Sequence, residues 1–166
     1  MKQIAFVALL ASLLAGCAAS GPLYNDYRQS VSDVGNSKAR LVLYRTGESM
    51  IGSARSIRAR VDGEVVGYVD HKGFNVFDVE PGAHLLQADL VDSAGACNLN
   101  LEAVAGKTYY FEVTPRKSSM VAGMTFGFVG QAVESAGKTC GGAVEVTEKN
   151  EGTAKGALVT LGKSKS

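Results

Sequence analysis

The chain has 166 residues, 17 basic and 16 acidic side chains, and two histidines. A near-neutral chain without a Lys/Arg-rich run has no bulk electrostatic reason to bind nucleic acid, so no nucleic-acid partner is expected. Its length suits one domain able to bury a core without a metal.

In chain order, the first segment carries Lys2 and then an apolar run from Ile4 to Ala15, closed by Leu14-Ala15-Gly16-Cys17. A charged start, an apolar middle and a small-residue end make a secretory signal, and the run is shorter than the ~20 residues of a membrane span. With cysteine directly after the small pair, the segment resembles a bacterial lipoprotein signal peptide ending in a lipobox. That resemblance implies cleavage between Gly16 and Cys17, with diacylglycerol on the Cys17 thiol and an acyl chain such as palmitate on the new amine. Residues 1–16 are then removed, leaving 150 residues. Ala18-Ala19 follow the cysteine, without the Asp that retains enteric lipoproteins in the inner membrane. The expected location is therefore the cell envelope, lipid-anchored in the outer membrane.

Residues 17–38 hold Ser20-Gly21-Pro22, Asn25-Asp26 and Gly35-Asn36-Ser37 without an apolar period, and are expected to form a flexible tether. A coil of about 20 residues spans roughly 25 Å.

From Ala39 the pattern becomes period two, in short runs. Ala39–Arg45, apolar on both faces, predicts a central strand. Ile57, Ala59 and Val61 alternate with Arg58 and Arg60, and Asp62-Gly63 then predicts a tight hairpin into 64–69. Further strands are expected over 74–79, 83–91, 99–103 and 108–114. The expected fold is all-β, a single immunoglobulin- or prealbumin-like β-sandwich of about seven or eight short strands over residues 39–161. The run 120–133 is apolar and glycine-rich, and fits either a core strand pair with glycine kinks or an exposed docking patch. Weak strands are expected at 143–147 and 157–161, and a frayed tail at 162–166.

With Cys17 lipidated, Cys97 and Cys140 remain, and in an oxidising compartment they are expected to pair. The loop of about 43 residues would contribute roughly 3–4 kcal/mol.

The stretch from Ala39 to Thr114 resembles the bacterial lipoprotein family known as domain of unknown function 2846. The matching residues are Ala39-Arg40-Leu41-Val42-Leu43-Tyr44-Arg45, Gly52-Ser53-Ala54, Val61-Asp62-Gly63 with Val66-Gly67, Phe77-Asp78-Val79-Glu80-Pro81-Gly82-Ala83-His84, and Ala105-Gly106-Lys107-Thr108-Tyr109-Tyr110. The resemblance implies an extracytoplasmic β-sandwich on a lipid anchor and brings no catalytic residues.

Few residues point to chemistry. His71 and His84 lack paired metal-ligand spacing, so neither metal nor cofactor is expected. Gly47 and Gly52 have the spacing of a phosphate loop, but Ser53-Ala54 stand where Lys and Ser/Thr belong. No G-x-S-x-G is present, and Glu64, Asp70, Asp78 and Glu80 lie on turns and hairpins. The chain is therefore expected to be a non-enzymatic binding or structural module that contacts another envelope protein. A glycan-binding module for peptidoglycan or lipopolysaccharide is the alternative, and an envelope hydrolase a third. The candidate contact residues are Arg55, Arg58 and Arg60, for anionic groups, and Met120, Met124, Phe126 and Phe128, for an apolar partner.

Overall fold

The computed structural model describes residues 18–48, 50, 52–135 and 140–165. Its strands are β1 (Ala39–Arg45), β2 (Ile57–Val61), β3 (Glu64–Val69), β4 (Gly73–Val79), β5 (Gly82–Leu90), β6 (Cys97–Ala103), β7 (Thr108–Pro115), β8 (Val144–Lys149) and β9 (Gly162–Lys163). Its helices are α1 (Tyr24–Ser30), α2 (Lys117–Ser135) and α3 (Glu151–Leu158). Two sheets pack as a sandwich, one in the order β8-β7-β1-β4-β9 and the other β3-β2-β5-β6.

Side-chain alternation explains the layers. Leu41 and Leu43 of β1 point between the sheets, with Ile57, Ala59, Leu86, Leu90, Phe111 and Val113. Val42 and Tyr44 point the other way, into a second core with Tyr24, Phe74, Tyr110, Ala154, Leu158 and Leu161. Helices α1 and α3 thus cover the outer face of the five-stranded sheet, and β1 is apolar on both faces because both are buried. β1 pairs antiparallel with β4 and parallel with β7. The β2–β3 hairpin turns on Asp62 and Gly63, with φ of 53° and 88°, the positive dihedrals such a turn requires.

Four expectations need correction. The predicted tether is built into the fold: α1 lies within it, Tyr24 is buried, and the Tyr24 and Tyr27 rings meet Phe74 edge-on at 5.1 and 5.4 Å. A seven-residue helix has little stability alone, so tertiary packing holds it. The predicted tail is paired: β9 runs parallel to β4 and the Ser164 N–H donates to the Phe74 carbonyl at 2.8 Å. The predicted strand at 157–161 is instead the end of α3 and the turn after it. Asn150 caps this helix by accepting the Thr153 N–H at 2.9 Å, and Ala154 and Leu158, four apart, face the sheet. Finally, 120–133 lies within helix α2, interrupted at Gly127 by a φ of 62°, and is not a strand pair.

Candidate contact surface

The strand registers gather one set of connections at a single pole. β1 ends at Arg45 opposite the start of β4 at Gly73, and parallel β7 ends beside it at Pro115. In the other sheet, Ile57 is opposite both Val69 and Leu90. The described residues of the connections between these strand ends, 46–48, 50, 52–56, 70–72, 91–96, 116–135 and 140–143, therefore share this pole, which is braced from within. Arg45 is 1% exposed, and its guanidinium donates to the carbonyls of Arg55 (2.7 Å) and Gly52 (2.9 Å). Burial pulls its pKa down from the ordinary arginine value. Ser56 Oγ donates to Asp70 Oδ1 at 2.5 Å, while the Asp70 N–H donates to Ser164 Oγ at 2.9 Å.

The first described residues are fastened at the same pole. Ala18 bridges His71, and the Ala19 N–H donates to the His71 carbonyl at 3.0 Å. Next, the Gly21 N–H donates to the Lys163 carbonyl (3.1 Å), the Lys163 N–H to the Pro22 carbonyl (2.9 Å), and the Tyr24 N–H to the Leu161 carbonyl (3.2 Å). Packing is tight where these segments cross. A Cβ on Gly73 would stand 2.8 Å from the Ala19 Cβ and 3.0 Å from the Asp70 carbonyl oxygen, and closer still to Ser164 Oγ.

A disulfide joins Cys97 at the start of β6 to Cys140, which pairs beside it as an isolated antiparallel bridge, 43 residues apart. Beside it Gly95 and Gly142 pack backbone to backbone, and both have positive φ. The Arg116 N–H donates to the Ala143 carbonyl at 2.7 Å and its guanidinium to the Cys140 carbonyl, drawing the chain after α2 back onto the sandwich. Apolar side chains stand exposed around this frame: Met50 at 73%, Met124 at 77% and Val129 at 69%, with Val91 and Val121 also exposed.

The residues singled out from sequence fall in different places. Gly16 and Cys17 lie outside the described residues. So do the side chains of Met120, Phe126 and Phe128, although their positions belong to α2. Arg58 and Arg60 both pair with one carboxylate, Asp89, itself 4% exposed; the Arg58 contacts measure 3.0 Å (Nε) and 2.8 Å (Nη2). Arg55 pairs with Asp92 at 3.0 Å. The three arginines thus meet acidic partners within the fold. Sequence reasoning missed Arg45, Asp89 and Arg116. Arg45 gave one signal, a charge directly after the apolar stretch Leu41–Tyr44.

The histidines are also placed. His71 is buried, its Nδ1 meets no hydrogen-bonding partner among the described residues, and burial, with Arg45 and Lys72 nearby, holds its pKa below the ordinary value. His84 sits at the opposite pole between Asp62 and the Glu80 carbonyl. No group of three or more His, Cys, Asp or Glu gathers to hold a metal ion among the described residues. A cleft of about 240 Å³ between α1 and the sheet is lined by Tyr24, Tyr27, Arg28, Arg40 and Tyr110. Two of its tyrosines are core residues: Tyr24 and Tyr110 are each at most 5% exposed, and burial, reinforced by the neighbouring Tyr110, raises the Tyr24 pKa to about 12. Among the described residues no helix is long and apolar enough to cross a membrane.

These features define a disulfide-stapled β-sandwich with residues 18–24 and 161–165 woven together at one pole, where several apolar side chains are exposed. The chain belongs to the family described as Protein of unknown function (DUF2846), whose model matches residues 35–127, more than half its length. That match runs from the approach to β1 into α2. No curated protein matches the chain significantly.

Proposed function

We propose that this chain is a lipid-anchored lipoprotein of the cell envelope, attached through Cys17 once residues 1–16 are removed. Its β-sandwich works as a non-enzymatic binding or structural module and contacts another envelope protein. The observation that carries the reading is the pairing of Ala18 and Ala19 with His71, since Cys17 is then joined directly to the pole that exposes Met50, Val91, Val121, Met124 and Val129. Exposed apolar residues gathered at one end mark a surface that docks on a membrane or on another envelope protein. The Cys97–Cys140 disulfide suits an oxidising compartment beyond the inner membrane, and Ala18-Ala19 after the cysteine suit delivery to the outer membrane.

Cross-linking in intact cells, followed by mass spectrometry of what the full-length protein captures, tests this reading. Cys17→Ser is expected to leave the membrane fraction and to lose its partner. Capture of bulk envelope alone, with the protein sedimenting on purified peptidoglycan, would overturn the partner reading in favour of glycan binding.

A further inference from the structure

A lipoprotein body is free to stand away from its bilayer only if a slack segment follows the lipidated residue. Here that slack is missing. One residue spans at most about 3.6 Å, and Ala19, two positions after Cys17, is already hydrogen-bonded to the sandwich at His71. Resting on the anchor reading above, we propose that the protein sits directly on the phospholipid bilayer, with the pole that carries Met50, residues 91–96 and α2 pressed into the headgroup region.

Three observations support the bilayer as occupant. The chain leaves the described structure at this pole, toward the residue that would carry the acyl chains. Met50, Val91, Val121, Met124 and Val129 are exposed there among the described residues. The exposed Lys72, Lys117 and Lys165 stand at the same end, placed to meet lipid phosphates. Seated this way, the protein turns its far pole and the outer face of the four-stranded sheet, with Arg58, Arg60 and Asp89, toward any protein partner.

The test uses full-length lipidated protein in vesicles of phosphatidylethanolamine and phosphatidylglycerol carrying spin-labelled lipid. A fluorophore is placed at Met124→Cys in one sample and at Val104→Cys, exposed at the opposite pole, in another. Intact mass of the same preparation reports the lipid on Cys17. The expected result is a lipid adduct, with quenching at position 124 several-fold above that at 104. An adduct with equal quenching at the two positions overturns the seating and leaves the anchor standing. No adduct overturns both. If position 124 is shielded only in native envelopes, or only on self-association in detergent, the pole belongs to a protein partner or to a second copy, and the bilayer proposal falls.

Discussion

Asp62 and His84 lock two turns of the sandwich to each other. His84 Nδ1 lies 2.6 Å from Asp62 Oδ2, His84 Nε2 lies 2.7 Å from the Glu80 carbonyl oxygen, and Asp62 Oδ1 accepts the Leu85 N–H at 2.8 Å. Both ring nitrogens face acceptors, so the imidazolium, which donates from both, is the form that fits. The hydrogen bonds to Asp62 and then to the Glu80 carbonyl raise the His84 pKa. The Leu85 N–H and then His84 lower that of Asp62.

The pH dependence follows from these directions. The stabilisation from His84 is complete below its ordinary value of 6.5 and is lost as pH rises through its raised value. That from Asp62 is complete above its ordinary 3.8 and is lost as pH falls through its lowered value. His84→Gln should therefore destabilise most between those two ordinary values and progressively less in alkali. Urea unfolding across the range checks it, and a gap that widens in alkali would refute the assignment.

His71 should behave in the opposite sense. Its buried imidazole charges more easily when unfolded, so its contribution is present above 6.5 and is lost as pH falls through its lowered value. The stability gap between wild type and His71→Gln should be widest near neutrality and close in acid, by the same urea measurement.

Asp89 carries two arginines, and its loss should cost more than the loss of either. Asp89→Asn would leave two guanidinium groups facing each other over a neutral amide, at a cost of about 2–3 kcal/mol. Arg58→Met leaves the Arg60–Asp89 pair in place, and should cost about 1 kcal/mol. Denaturant midpoints of the two single variants decide the order.

Reduction of Cys97–Cys140, or Cys97→Ala with Cys140→Ala, should remove about 4 kcal/mol by the chain-entropy model. Calorimetry with and without reductant reads the drop in Tm. Hydrogen exchange should show the greatest loosening at the Arg116–Ala143 contact beside the bridge.

Gly73→Ala is a test of the crossing where residues 18–19 meet His71. The new methyl has no space among Ala19, Asp70 and Ser164, and the expected cost is about 1–3 kcal/mol. Exchange of the Ala19 amide should accelerate well before that of the β1 amides; uniform acceleration would mean the segment is not held there.

The sheet strands were legible because their signals are local. Alternation in 57–61, the Asp62-Gly63 turn and the two-faced apolarity of Ala39–Arg45 each report on neighbouring residues alone. The family motifs also gain physical sense in three dimensions. Asp62 meets His84, and Arg40 grips Asp78 with two hydrogen bonds of 2.7 and 2.9 Å. Tyr109 Oη donates to the Glu102 carbonyl at 2.9 Å and accepts the Val104 N–H at 3.1 Å, tying the β6–β7 turn. What escaped the sequence was structure made by distant partners. Nothing near Tyr24 announces Phe74, and nothing near Gly162 announces Gly73. The helicity of α3 is masked by small residues that read equally well as a weak strand. The placement of Arg58 and Arg60 depended on Asp89, three strands' worth of chain away in sequence but directly opposite in register.

The weave of residues 18–24 with 161–165 also sets an order of events during synthesis. Gly21, Pro22 and Tyr24 find their partners in Lys163 and Leu161, which emerge near the far end of the chain. Until those residues arrive, only the contact of Ala18 and Ala19 with His71 can form, and residues 21–24 lack their partners. The closing of residues 21–24 onto 161–163 is therefore among the last steps of folding.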